Sequence, residues 1–159
     1  MKVYQLRFRQ YIPTTLEEAW NFFSSPFNLA RITPSLGFVI TSDLKPEQKM
    51  YPGILISYKV APLVGIKLNW LTEITHVTDM KYFVDEQRFG PFSFWHHQHH
   101  FEETSEGIRM DDMITYAIPM GIVGQAVNRL IVQKRILDIF STREKMITEI
   151  FGTQKKKPF

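Results

Sequence analysis

The stretch "KYFVDEQRFGPFSFWHHQHHFEETSEGIRMDDMITYAI", Lys81 to Ile118, holds three runs rich in β-branched and aromatic residues, separated by Gly90–Pro91 and by "TSEG". Runs of this length and composition, broken by residues suited to turns, predict three consecutive antiparallel strands. The same texture extends upstream. "GFVITS", "GILISYKV" and "IKLNWLTEITHV" read as three more strands, with "KPEQKMYPG", "APLVG" and "TDM" as the intervening turns. Six strands joined by short connections make an antiparallel meander from Gly37 to Ile118.

On both sides of the meander the period changes. Val3 to Tyr11 alternates in the period-two manner of a half-buried strand. "TTLEEAWNFFSS" then offers Thr14 or Thr15 as a cap, Glu17 and Glu18 in the first turn, and Leu16, Ala19, Trp20 and Phe23 at helical spacing. Pro26 interrupts, and "FNLARITP" reads as a second short helix ending before Pro34. After Pro119, Val123, Ala126, Leu130, Leu137, Phe140, Ile147 and Phe151 recur at spacings of three, four and seven, which marks one face of a long helix. Gly152 is its natural stop. A helix of about 28 residues runs roughly 40 Å, the width of a twisted sheet.

With 159 residues, 44% of them hydrophobic and 14% aromatic, the chain is long enough for one sizeable core. No repeat or long linker divides it, so one domain over residues 1–152 and a basic tail over 153–159 are expected. The formal net charge is +3, and Lys155, Lys156 and Lys157 alone supply three positive charges, so the body is balanced. A nucleic-acid partner is therefore not expected. No run reaches the eighteen or so apolar residues of a membrane span, and "MKVYQLRFRQ" is unlike a signal peptide, which predicts a cytoplasmic protein. The absence of cysteine excludes disulfides, thiolate metal sites and cysteine nucleophiles.

Strand, two short helices, six strands and a long helix is the order of an α+β helix-grip fold. The pieces "FVDEQRFGPFSFWHHQHHFEE", "DDMITYAIPMG" and "RILDIFSTREKMITEIFG" sharpen this, and with "YIPTTLEEAWNFFSSPFNLARITP" they resemble the SRPBCC superfamily over nearly the whole chain. The likeness is to its small bacterial proteins described as polyketide cyclase/dehydrase-like or cell-division-inhibitor-like. It implies a START-like architecture: a curved antiparallel sheet of about seven strands wrapped around the C-terminal helix, with two short helices after the first strand. It does not imply one activity, because the superfamily includes lipid carriers, hormone receptors and cyclases.

Four of the five histidines fall at positions 96, 97, 99 and 100. A two-residue turn at Gly90–Pro91 pairs Glu86 with Trp95 and Val84 with His97. A four-residue turn at Glu103–Glu106 pairs Phe101 with Ile108, His99 with Met110, His97 with Asp112 and Trp95 with Ile114. The concave face then carries Glu86, Arg88, Trp95, His97, His99, Phe101, Met110, Asp112, Ile114 and Tyr116, and the opposite face carries Asp85, His96, Gln98 and His100. In the resemblance, too, Trp95, His97, His99, Phe101, Asp112 and Tyr116 occupy the motif positions.

His97 and His99, two apart on one strand, admit three readings. With a carboxylate they form a metal site; His97 with Asp112 forms an acid–base pair; or the group satisfies itself by hydrogen bonding and orients a ligand's polar end. The third reading is preferred. No third metal ligand has a defined position, so neither a metal nor another cofactor is expected. The expected function is binding of a small hydrophobic molecule, such as a lipid, isoprenoid or polyketide-like compound. Its wall would be Trp70, Trp95, Phe101, Met110, Ile114, Tyr116, Leu130 and Leu137, with His97, His99 and Asp112 as polar contacts, and with Glu86 and Arg88 either a polar anchor at the mouth or a solvated ion pair near the sheet rim. The alternatives are a cyclase or dehydratase using His97 and Asp112, with Tyr116 polarising a carbonyl, and a protein-interaction module linked to cell division.

Overall fold

The structure is a computed structural model and describes residues 1–63 and 66–153. Val64 and Gly65 of the expected "APLVG" turn, and the lysines of the tail, lie outside the described residues. The chain runs β1 (Val3–Ile12), α1 (Leu16–Phe23), α2 (Pro26–Ile32), a 3₁₀ turn (Pro34–Leu36), β2 (Val39–Ile40), β3 (Leu55–Leu63), β4 (Ile66–Thr78), β5 (Tyr82–Phe89), β6 (Phe94–Thr104) and β7 (Gly107–Ala117). It ends in one rod: α3 (Gly121–Val127), a π turn (Asn128–Val132) and α4 (Gln133–Phe151). The seven strands form one antiparallel sheet in the order β1-β7-β6-β5-β4-β3-β2, so β2 to β7 are a meander and β1 closes onto β7. This is the helix-grip fold.

The local causes are those legible in the sequence. Thr15 caps α1 in a capping box, its side chain accepting from the Glu18 N–H while the Glu18 carboxylate accepts from the Thr15 N–H. Pro26 opens α2, where a missing N–H costs nothing. Helix α1 buries Ala19, Trp20 and Phe23 against the sheet, with Trp20 edge-on to Phe101 at 5.6 Å. No helix among the described residues is long and apolar enough to cross a membrane.

Two registers differ from the sequence reading. The β5–β6 connection has four residues between strand ends, not two, and pairs Asp85 with His97, Phe83 with His99 and Glu86 with His96. The Gln87 side chain stabilises this wider loop, donating to the Phe92 carbonyl at 2.7 Å and accepting from the Phe92 N–H at 3.2 Å. A shift of one residue inverts a strand's faces, so Asp85 turns inward and Glu86 and Arg88 turn outward. The β6–β7 connection is shorter than expected, with Thr104 opposite Gly107. Gly107 takes φ +129°, and a Cβ there would meet the Ile12 carbonyl oxygen at 2.3 Å, so only glycine turns the chain so tightly beside β1. This shift is two residues, which keeps the faces but places Asp112 opposite His99 and Ile114 opposite His97.

The C-terminal rod also departs from expectation. Its buried face is Gly124, Asn128, Ile136, Phe140, Arg143 and Ile147, whereas Leu130 is 73% and Leu137 44% exposed. At 100° per residue, an unbroken α-helix phased on Phe140 and Ile147 would turn Ile122, Gln125 and Arg129 inward and leave Val123 and Leu130 on its flank. The π turn inserts one residue and rotates everything before it by about that angle. Gly124 and Asn128 come inward instead. Leu137, at the edge of the stripe, yields to Ile136.

Candidate functional site

Sheet, helix rod and the α1–α2 region do not pack flush. They enclose a cavity of about 380 Å³. Tyr58, Trp70, Phe83 and Trp95 line it from the sheet, Val132, Ile136 and Phe140 from the rod, and Phe22, Leu29 and Ile32 from the short helices. The Trp70 and Trp95 rings meet edge to face at 5.4 Å, which fixes both walls of that corner. The Trp70 Nε1–H donates to Thr72 Oγ1 at 3.0 Å, and Tyr58 also bonds Thr72, so these polar atoms are satisfied without a ligand. Met120 and Ile131 line the cavity and are 68% and 46% exposed, which places its opening beside the first half of the rod.

On one wall stands a buried charge cluster. Asp85 Oδ2 lies 3.2 Å from His97 Nδ1 and 2.8 Å from His99 Nε2, while its Oδ1 accepts from the Trp95 Nε1–H at 3.3 Å. Behind the imidazoles, Asp112 Oδ1 lies 2.9 Å from His97 Nε2, 2.8 Å from His99 Nδ1 and 3.4 Å from Arg143 Nη1. Each imidazole is thus held between two carboxylates, with the rings 3.8 Å apart. His97, His99, Asp112 and Arg143 are all buried.

A neutral imidazole has one N–H and one lone pair, so a ring facing carboxylate oxygens at both nitrogens suits the cation. Burial pushes the His97 pKa down, but Asp85 and Asp112 outweigh it and hold it above the ordinary histidine value. Burial likewise pushes the Asp85 carboxyl up, yet the charge of His97 and hydrogen bonds from both imidazoles keep it below the usual carboxylate range. Asp112 is held well below that range against its burial by the Arg143 guanidinium and its contacts with both rings. Two polar atoms of the cluster stay unsatisfied: Arg143 Nε, and His99 Nδ1, which is close to Asp112 but out of alignment for a hydrogen bond.

Of the residues singled out in the sequence, Trp70, Trp95, His97 and His99 line the cavity. Asp112 sits behind the imidazoles. Phe101 and Met110 lie instead in the core beneath α1 with Trp20 and Phe23, and Ile114 and Tyr116 pack under the rod with Ile136 and Phe140. The Tyr116 hydroxyl donates to Asn128 Oδ1 at 2.9 Å, so it is occupied there and does not polarise a carbonyl in the cavity. Leu130 and Leu137 face away, the first turned out by the π turn and the second at the edge of the buried stripe. Glu86 and Arg88 are on the outer face, where Arg88 pairs with Glu73 and Glu86, and Glu86 also with His96. They are no anchor at the mouth.

The sequence reading missed Asp85 and Arg143. Arg143 had a signal: a charged residue three after Phe140 and four before Ile147, within an apolar stripe. Asp85 had one only if the register of β5 was known.

No protein-family model matches the chain, and no curated protein matches it. Solved structures do. TTHA0849 from Thermus thermophilus is 21% identical over 92% of this chain and 95% of its own, with a TM-score of 0.66. Major latex-like protein 151 from Panax ginseng is 14% identical over 94% and 97%, with a TM-score of 0.68. Ara h 8.0201 is 13% identical over 93% and 99%, with a TM-score of 0.63. At such identities the likeness is one of fold.

Proposed function

We propose that the protein binds a small, mainly apolar molecule of lipid, isoprenoid or polyketide-like character between sheet and helix rod, with the ligand's polar end against Asp85, His97 and His99. The observation that carries this is the cavity itself: about 380 Å³, apolar on most sides, with Asp85, His97 and His99 together on its sheet wall and Arg135 and Arg143 on the rod. That size and asymmetry suit a ligand with one polar end. An acid–base role for His97 is less well supported, since both its nitrogens face carboxylates and neither offers a free lone pair. Ligand binding needs none.

The test is displacement of anilinonaphthalene sulfonate by oleate, followed by fluorescence, in the wild type and in Val132→Trp. Val132 lines the cavity without being fully buried, so an indole there fills space with little strain. Saturable binding that weakens at least about tenfold in Val132→Trp, a loss of about 1.4 kcal/mol, supports the reading. Absence of binding, or binding indifferent to the filled cavity, overturns it.

A further inference from the structure

The cluster has two sides that differ in what they face. Asp85, His97 and His99 line the cavity, whereas Asp112 is closed off behind the imidazoles by Arg143. On the cavity side, one donor atom from each of Asp85, His97 and His99 comes within 4.8 Å of the others. Asp85 Oδ2 stands 3.2 Å and 2.8 Å from the nearer nitrogens of the two rings. Neighbouring donors around a six-coordinate ion with bonds of about 2.1 Å stand about 3.0 Å apart, so little movement would admit one.

We propose that Asp85, His97 and His99 bind one divalent transition-metal ion at the cavity wall, with Asp112 orienting both imidazoles from behind. Two nitrogens and one oxygen suit iron, cobalt or zinc better than magnesium or calcium, which prefer oxygen alone. Binding frees the lone pairs of His97 Nδ1 and His99 Nε2, any proton held there passing to solvent, so each ring keeps one N–H, and both of those nitrogens lie within 3 Å of Asp112 Oδ1. A buried carboxylate behind metal-bound histidines is the arrangement that fixes tautomer and ring angle. Arg143 in turn holds Asp112. The unaligned contact of His99 Nδ1 has its explanation here: the ring is placed for a metal, and a small rotation on binding would bring its N–H onto Asp112.

Three protein ligands leave positions open toward the cavity. The dication, Arg143 and the two carboxylates together leave one positive charge, so those positions suit water, hydroxide or one anionic group. The expectation of a metal-free protein rested on the lack of a third ligand, and Asp85 supplies one. The proposal shares the cavity with the apolar ligand but does not depend on it.

The experiment is a Co²⁺ titration of untagged protein stripped with EDTA, read by calorimetry and by visible absorption of the bound ion. One ion per chain is expected, lost in His99→Ala and in Asp85→Asn. In Asp112→Asn the affinity should fall roughly 10- to 100-fold, as for groups that orient metal ligands. His96→Ala/His100→Ala, on the outer face, should bind as the wild type does. No binding to the wild type, or binding that survives Asp85→Asn and His99→Ala but vanishes in the outer-face variant, overturns the proposal. Because a cluster variant can fail to fold, X-ray absorption on the Co²⁺-loaded wild type gives an independent reading. Two imidazoles in the scattering support the site; fewer overturn it. The probe is the metal alone, so its failure leaves the apolar-ligand reading standing, and the converse holds.

Discussion

At Asp85, two imidazoles and an indole converge on one carboxylate that is partly buried on the cavity wall. Its neighbour Glu86, one residue on, makes ion pairs at a solvated face. The difference sets a prediction. Asp85→Ala leaves Trp95 and one nitrogen of each ring without an acceptor and should cost on the order of 3–5 kcal/mol, as breaking a buried ion pair does. Glu86→Ala should cost about 1 kcal/mol or less. Urea unfolding of the two variants checks both values, and equal losses would mean that the faces of β5 are not as described.

On the scale of elements, the π turn decides which residues of the rod reach the sheet. It brings in Asn128, which accepts from Tyr116, and Gly124, where a Cβ would lie 2.0 Å from the Pro119 carbonyl oxygen. Gly124→Ala should therefore lower the melting temperature, although alanine is the better helix former by about 1 kcal/mol. Deletion of Leu130 gives a sharper test. It removes an exposed residue from the π turn and leaves an α-helix in which Gly124 and Asn128 still face inward, so the protein should stay folded. Deletion of exposed Glu144 from α4 would instead rotate Ile147 out of the core by about 100° and should abolish cooperative melting. Circular dichroism melts distinguish them, and loss of folding in both deletions would contradict this account of the π turn.

At the scale of the molecule, three buried clusters among the described residues surround the cavity rather than fill it: one beneath α1, one on β3 and β4, and one under the rod around Tyr116 and Phe140. A ligand that binds only the folded state adds its binding energy to stability. An apolar ligand at a hundred times its dissociation constant should add about 2.7 kcal/mol. For a chain of this length that is a rise of roughly 5–10 °C in melting temperature. Calorimetry with and without oleate reads it, and Val132→Trp should show a smaller shift at the same oleate concentration.

The order and kind of the elements were legible in the sequence because they rest on local physics. Alternation marks strands, Thr15 with Glu18 starts a helix, Pro26 restarts one, and Gly152 ends the rod; each acts within a few residues. His97 and His99 could be placed on one face for the same reason, since side chains two apart on a strand share a side. What joined them to Asp85 and Arg143 is not local. The β5–β6 register was settled by a loop held by Gln87, and the β6–β7 register by the room Gly107 leaves beside Ile12, a contact between residues about a hundred positions apart. Helix phase before Asn128 was set by packing on Tyr116, since one extra residue in that turn brings Asn128 inward in place of Arg129. Period and composition determine which residues share a face of one element; only tertiary packing decides which faces meet, because a one-residue slip costs nothing locally and exchanges Asp85 for Glu86 at the site.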